Sequence, residues 1–238
     1  MKNNALGILF ASDEDSHLND LTIHRTTASL PYAGRYRLID FVLSNMVHAN
    51  ITKIGIITRN NYNSLMDHIR QGRDWDLNRK NSGISVYPPF VFNAAHEVYK
   101  GKIEALYMLR GFMLKSSEDY VVISNANIAF NIDFEEVEKF HVERGADITM
   151  LTYSTEDVTP RKLVVTADKN KRIKDLRYPV STDTGKQLCN LNIYYVKKDL
   201  LISLIDNAYA HGAYDFEKDI LRASLDELYV MSYEVDNY

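Results

Sequence analysis

The chain has 238 residues, of which 28 are Lys or Arg and 32 are Asp or Glu, for a formal net charge of −4. That length sets a prior of one to two domains, and 45% hydrophobic residues exclude wholesale disorder. The slight acidic excess argues against a nucleic-acid partner, and the single cysteine, Cys189, can form no internal disulfide, which fits a reducing compartment.

Ala5–Ala11 reads as a buried first strand. It is too short to span a membrane and lacks a cleavage pattern, so the expectation is a cytoplasmic protein with no membrane partner. Leu38, Phe41, Val42, Asn45 and Met46 recur at helical spacing, with Asn50 as the stop. Residues 51–59 (ITKIGIITR) read as a strand. Tyr62, Leu65, Met66 and Ile69 mark a helix that Gly72 ends, and residues 84–87 form a short strand before Pro88-Pro89. Residues 103–114 repeat apolar positions at three and four, hence a helix; residues 120–124 are a strand. Phe134–Arg144 is a helix capped by Gly145, and residues 146–153 are again a strand. Strands alternating with helices of this length imply βαβ units and a mostly parallel sheet.

The remainder is less regular. Residues 163–167, 173–176 and 188–196 read as strands of a smaller mixed sheet, residues 199–209 and 216–223 as helices, and residues 228–235 as a last strand. No Pro/Gly/Ser linker divides the chain, so residues 1–238 form a single α/β domain. The end at Tyr238, three residues after an apolar alternation, leads to the expectation of a piece of a longer protein.

In open α/β sheets the ligand sits beyond the carboxyl ends of the strands, often at the first strand–loop–helix junction. Here that junction is Ser12-Asp13-Glu14-Asp15-Ser16-His17. A phosphate loop needs glycines, so that backbone N–H groups approach the anion, and a cation to offset its charge. This loop has neither. At ~4 Å and an effective dielectric of ~20, each carboxylate–phosphate pair costs about 4 kcal/mol before screening. The loop should therefore not cradle a triphosphate. A divalent-cation site from Asp13, Glu14 and Asp15 is the functional alternative to a plain acidic surface loop.

The segment LPYAGRYRLIDFVLSN, residues 30–45, resembles the ADP-glucose pyrophosphorylases, whose run there is F-G-G-K-[YF]-R-I-I-D-F-x-L-S-N. Further likenesses follow in order: Gln71-Gly72 with Trp75-Asp76-Leu77 to G-x-x-W-D-L, Val86-Tyr87-Pro88-Pro89 to V-x-P-P, and Tyr99-Lys100-Gly101 to Y-x-G. Gly145-Ala146-Asp147-Ile148-Thr149 is similar to G-A-D-I-T, and residues 214–220 to H-D-F-G-K-D-I. The resemblance implies a Rossmann-like, GT-A-type nucleotidyltransferase fold: a mostly parallel mixed sheet flanked by helices. The family's C-terminal left-handed β-helix is expected to lie outside these 238 residues. The activity implied is transfer of an adenylyl group from ATP to glucose 1-phosphate, with Mg²⁺ as cofactor in active members.

The resemblance also implies what has been lost. The family's G-G-x-G-x-R loop falls on residues 12–17, leaving His17 for the arginine. Thr27 stands for a catalytic lysine, Ala126 for the aspartate that holds Mg²⁺, and Tyr178 for a sugar-phosphate lysine; only Asp215 matches a second metal-binding aspartate. Nucleotidyl transfer depends on charge neutralisation and positioning by Mg²⁺ and basic side chains. Loss of even one such contact costs roughly 3–4 kcal/mol. No useful catalysis, and no cofactor, is therefore expected of this chain alone. The pattern is similar to the GlgD-type subunits, which partner a catalytic paralogue in a hetero-oligomer, expected as a tetramer. An active enzyme with altered residues and a stand-alone sugar-phosphate or sugar-nucleotide sensor are the alternatives.

Several residues carry two readings. Asp215 is a metal ligand or a helix N-cap. Gly101 is a backbone approach point for a ligand or a turn. Thr58 ends a strand at the site edge or is structural. Arg35 and Arg37 bind an anionic sugar-phosphate effector or pair with carboxylates such as Asp40. Arg70, Arg73, Arg79 and Lys80, around Trp75, suggest a subunit contact or a loop at the site edge. The histidines show no metal-ligand spacing, and Cys189 reads as a buried strand residue.

Overall fold

The structure, a computed structural model, describes residues 4–11, 18–59, 61–78, 82–88, 99–180 and 183–235. The acidic loop of Asp13, Glu14, Asp15 and His17 lies outside the described residues, as do Arg79 and Lys80. The chain folds around one nine-stranded sheet. Its strands are β1 (Ala5–Ala11), β4 (Lys53–Thr58), β5 (Gly83–Tyr87), β6 (Tyr120–Asn125), β7 (Ile148–Thr155), β8 (Val164–Ala167), β9 (Ile173–Arg177), β10 (Gln187–Lys197) and β11 (Val230–Glu234). A separate hairpin pairs β2 (Pro31–Tyr32) with β3 (Tyr36–Arg37). The order across the sheet is β11-β7-β10-β6-β1-β4-β5, with β8 on β10 and β9 on β8. Every neighbour along the main path is parallel except β10, which runs antiparallel between β6 and β7.

The helices are α1 (Leu38–His48), α2 (Asn63–Ile69), α3 (Lys102–Met108), α4 (Arg110–Leu114), α5 (Phe134–Arg144) and α6 (Lys198–Ala210), followed by a π-helical segment, Phe216–Arg222. Alternation along β1 divides the core. Ala5, Leu9 and Ala11 face a layer with α1, α2 and α5, whereas Leu6, Ile8 and Phe10 face α3, α4, α6 and the π-helical segment. A sheet buried on both faces explains why β1 and β4 are almost wholly apolar. α5 shows the local logic: Asp133 accepts from the Glu135 N–H at 2.9 Å, and Gly145 closes the helix at φ 59°.

Three expectations need correction. The strands at residues 163–167, 173–176 and 188–196 do not make a second, smaller sheet; β10 is central to the main sheet and carries β8 and β9. The helix over residues 103–114 is broken at Leu109, where ψ rises to 1°. The helix at residues 216–223 is a π-helical turn.

Candidate functional site

The parallel strands end on one side of the sheet, and an open cleft of about 930 Å³ lies there. Its walls come from separate stretches of chain: Lys100–Lys102 at the start of α3, Asn125, Asn127 and Ile128 after β6, Tyr153 on β7, residues 159–163 before β8, Tyr178 after β9, residues 190–192 on β10, and residues 214–217 at the start of the π-helical segment. This is the place the topology assigns to a ligand, beyond the carboxyl ends of β6 and β7.

A bulge in β10 shapes the floor. Register with β7 shifts between Asn190 and Tyr194, and Asn192 takes φ 57°, a conformation Asn tolerates. Asn190 Oδ1 accepts from the Asn192 N–H at 2.9 Å, and Asn190 Nδ2 donates to Asn192 Oδ1 at 3.2 Å and to the Tyr194 hydroxyl at 2.6 Å. That hydroxyl donates to Glu217 Oε1 at 3.0 Å. Lys102 forms an ion pair with the same carboxylate oxygen, and its Nζ lies 3.4 Å from Asn192 Oδ1. The five side chains close a ring. Burial, with the negative charge of Glu217 beside it, pushes the Tyr194 hydroxyl well above the usual phenol range, so it remains a donor.

Lys162 crosses the Tyr153 ring at 5.5 Å and donates to the Asp157 carbonyl at 2.7 Å. Burial works to lower its pKa, but the Tyr153 hydrogen bond and the charge of Asp157 outweigh it, and the ammonium is held more firmly protonated. Asn127 Oδ1 is buried without a hydrogen-bond partner among the described residues.

Of the residues singled out in the sequence, the cleft gathers Gly101, Tyr178 and Asp215. Asp215 is an N-cap: its Oδ1 accepts from the Lys218 N–H at 2.9 Å. Gly101 is a close-approach point, but for protein backbone. A Cβ there would stand 2.2 Å from the Tyr214 carbonyl oxygen, which also accepts from the Ile103 N–H at 3.3 Å. Tyr178 is half exposed at the rim, beside the bidentate Arg177–Asp183 pair at 2.7 and 2.9 Å.

The others lie elsewhere. Ala126 is 0% exposed, sits in the apolar core, and donates its N–H to the Phe10 carbonyl at 2.8 Å. Thr27 is buried in a 3₁₀ turn with Ala28 and Ser29. Thr58 is buried and donates its hydroxyl to the Tyr87 carbonyl at 3.3 Å. Arg37 donates through its guanidinium to Ser64 Oγ at 2.9 Å and through its backbone N–H to Asp40 at 2.9 Å, tying the starts of α1 and α2 together. Arg35 is exposed on the β2–β3 turn.

The residues do not fit the Mg²⁺ of active nucleotidyltransferases. Of the two ligand positions that the resemblance implies, Ala126 offers only a methyl inside the core, and Asp215, with one oxygen serving the cap, is a single carboxylate left to hold the ion. No group of three or more acidic, His or Cys side chains could hold a metal among the described residues. Sequence reasoning missed the Lys102–Glu217 pair. The available signal was Glu217 itself, which stands where H-D-F-G-K-D-I has glycine.

The model of the nucleotidyl transferase family matches residues 6–237. The chain belongs to that family. This nucleotidyl transferase domain is 28% identical to a glucose-1-phosphate adenylyltransferase of Geobacillus stearothermophilus over 231 residues, 95% of this chain and 59% of the relative. It is 39% identical to a glycogen biosynthesis protein GlgD of the same organism over 155 residues, 64% of this chain and 45% of the relative. The GlgD protein of Bacillus subtilis matches at 39% over 147 residues, 62% of this chain and 43% of the relative. The chain spans about half the length of these curated relatives. No helix among the described residues is long and apolar enough to cross a membrane.

Proposed function

We propose that this nucleotidyl transferase domain belongs to a regulatory, catalytically degenerate subunit of ADP-glucose pyrophosphorylase. Such a subunit modulates ADP-glucose synthesis from ATP and glucose 1-phosphate for glycogen formation in the cytoplasm. The observation that carries the reading is Ala126: the position of a metal-binding aspartate is a methyl group inside the core of a chain that otherwise keeps the family framework. Charge neutralisation is the main resource of nucleotidyl transfer, and this cleft cannot assemble it in the family's manner. The names of the GlgD relatives support the glycogen context. The partner is a catalytic paralogue in a hetero-oligomer, with a tetramer as the expected assembly, and a sugar phosphate is the effector class.

The test compares ADP-glucose formation by this protein, by a paralogue with an intact G-G-x-G-x-R loop, and by their mixture, with Mg²⁺-ATP and glucose 1-phosphate. The protein alone should be silent, and the mixture should differ from the paralogue in rate or substrate affinity. Turnover by the protein alone would establish an active adenylyltransferase instead. Silence with no effect on the paralogue would leave the sensor.

A further inference from the structure

Lys102 is a cation placed on the cleft floor by both an ion pair and the β10 bulge, and its counter-ion is built in. Its side chain is 11% exposed and that of Glu217 is 15% exposed. A lysine so far from water needs a negative partner, and an anionic ligand or a carboxylate can supply it. We propose that Glu217 is a specificity-determining residue that acts as the internal counter-ion of Lys102 and excludes phosphate from the cleft floor.

The geometry favours the carboxylate over a free anion. Lys102 opens α3 and Glu217 lies in the first turn of the π-helical segment. The two elements are clamped where Gly101 meets the Tyr214 carbonyl. Glu217 is therefore held at its partner with no loss of translational freedom, whereas a phosphate must lose it. The Tyr194 hydroxyl donates to the same oxygen, at 3.0 Å, and Asn190 orients that hydroxyl from 2.6 Å. A phosphate entering beside Lys102 would face the Glu217 charge and that of Asp215 nearby on the cleft wall. Lys100, Arg161 and Lys162 also line the cleft, so an anion is barred only from the place beside Lys102 and Glu217.

The proposal rests on reading this cleft as a degenerate nucleotidyl-transfer site. Its test reads phosphate binding and lysine reactivity, so it can fail while modulation of a partner holds, and the reverse. Glu217→Gln keeps the shape and an acceptor for Tyr194 but removes the charge. Inorganic phosphate, titrated by phosphorus NMR, should bind Glu217→Gln at least tenfold more tightly than the original protein. The double variant Lys102→Met/Glu217→Gln should lose that gain. No gain in the single variant, or a gain that survives loss of Lys102, overturns the proposal. A measurement on the unaltered protein stands beside it in case the variant does not fold: acetic anhydride labelling followed by mass spectrometry. Lys102 should react at least tenfold more slowly than the exposed Lys169; equal rates mean the pair does not hold, and the proposal fails.

Discussion

His141 shows how one side chain ties the sheet to a helix layer. It projects from α5 between Tyr120 and Tyr195, with ring centroids at 5.5 and 5.1 Å, and its Nδ1 meets Thr149 Oγ1 at 2.9 Å. Burial pushes its pKa down to about 4, against a smaller opposing influence of Asp147. The unfolded chain, with a histidine near pH 6.5, binds more protons than the native one between those values, so stability rises with pH across that window. It is full above pH 6.5 and is lost as pH falls towards 4. Urea unfolding at pH 7 and pH 5 should differ by about 2 kcal/mol on this account. His141→Gln should flatten that difference; an unchanged slope would place the dependence on other groups. None of this was legible in the sequence, where His141 is one of seven histidines without a spacing pattern. Its burial depends on β10, which lies far downstream in the chain.

At the scale of elements, periodicity was readable wherever an element buries one stripe or is bounded by a cap. Ala5–Ala11 and Phe134–Arg144 match the structure because an apolar run, an Asp133 cap and a Gly145 stop are local signals. The pairing of β10 was not readable, since the same apolar alternation serves an edge sheet or the centre of the main one. The β2–β3 hairpin has two residues per strand, too few to alternate. The start of the π-helical segment offers a direct test of the two readings of Asp215. Asp215→Ala should cost about 1 kcal/mol of stability, and Asp215→Asn almost nothing, because asparagine caps as well as aspartate. Mg²⁺ should leave the melting temperature of the unaltered protein where it was. A Mg²⁺-dependent rise that Asp215→Asn abolishes would instead make Asp215 a metal ligand.

The whole molecule separates the sheet from the side chains that line the cleft. The fold of this chain rests on the nine-stranded sheet and its two apolar layers. The positions at which the resemblance implies catalytic side chains are carried by separate elements. Thr27 lies in a buried turn, Ala126 in the core after β6, and Tyr178 at the rim after β9. The resemblance points to those positions one by one; the Lys102–Glu217 pair, 115 residues apart in the chain, is visible only in three dimensions. On the function proposed above, positions so dispersed cannot be restored one at a time. Ala126→Asp would place a carboxylate at a site with no exposure and with no cation shown beside it among the described residues, and an uncompensated buried charge costs roughly 3–5 kcal/mol. The aspartate would respond by staying protonated or by forcing its segment out of the core, and neither state holds a divalent ion. The variant should therefore melt well below the unaltered protein and form no ADP-glucose from Mg²⁺-ATP and glucose 1-phosphate. Measurable product from that single variant would mean that Ala126 faces the reacting groups, and that the remaining side chains of the cleft suffice for catalysis.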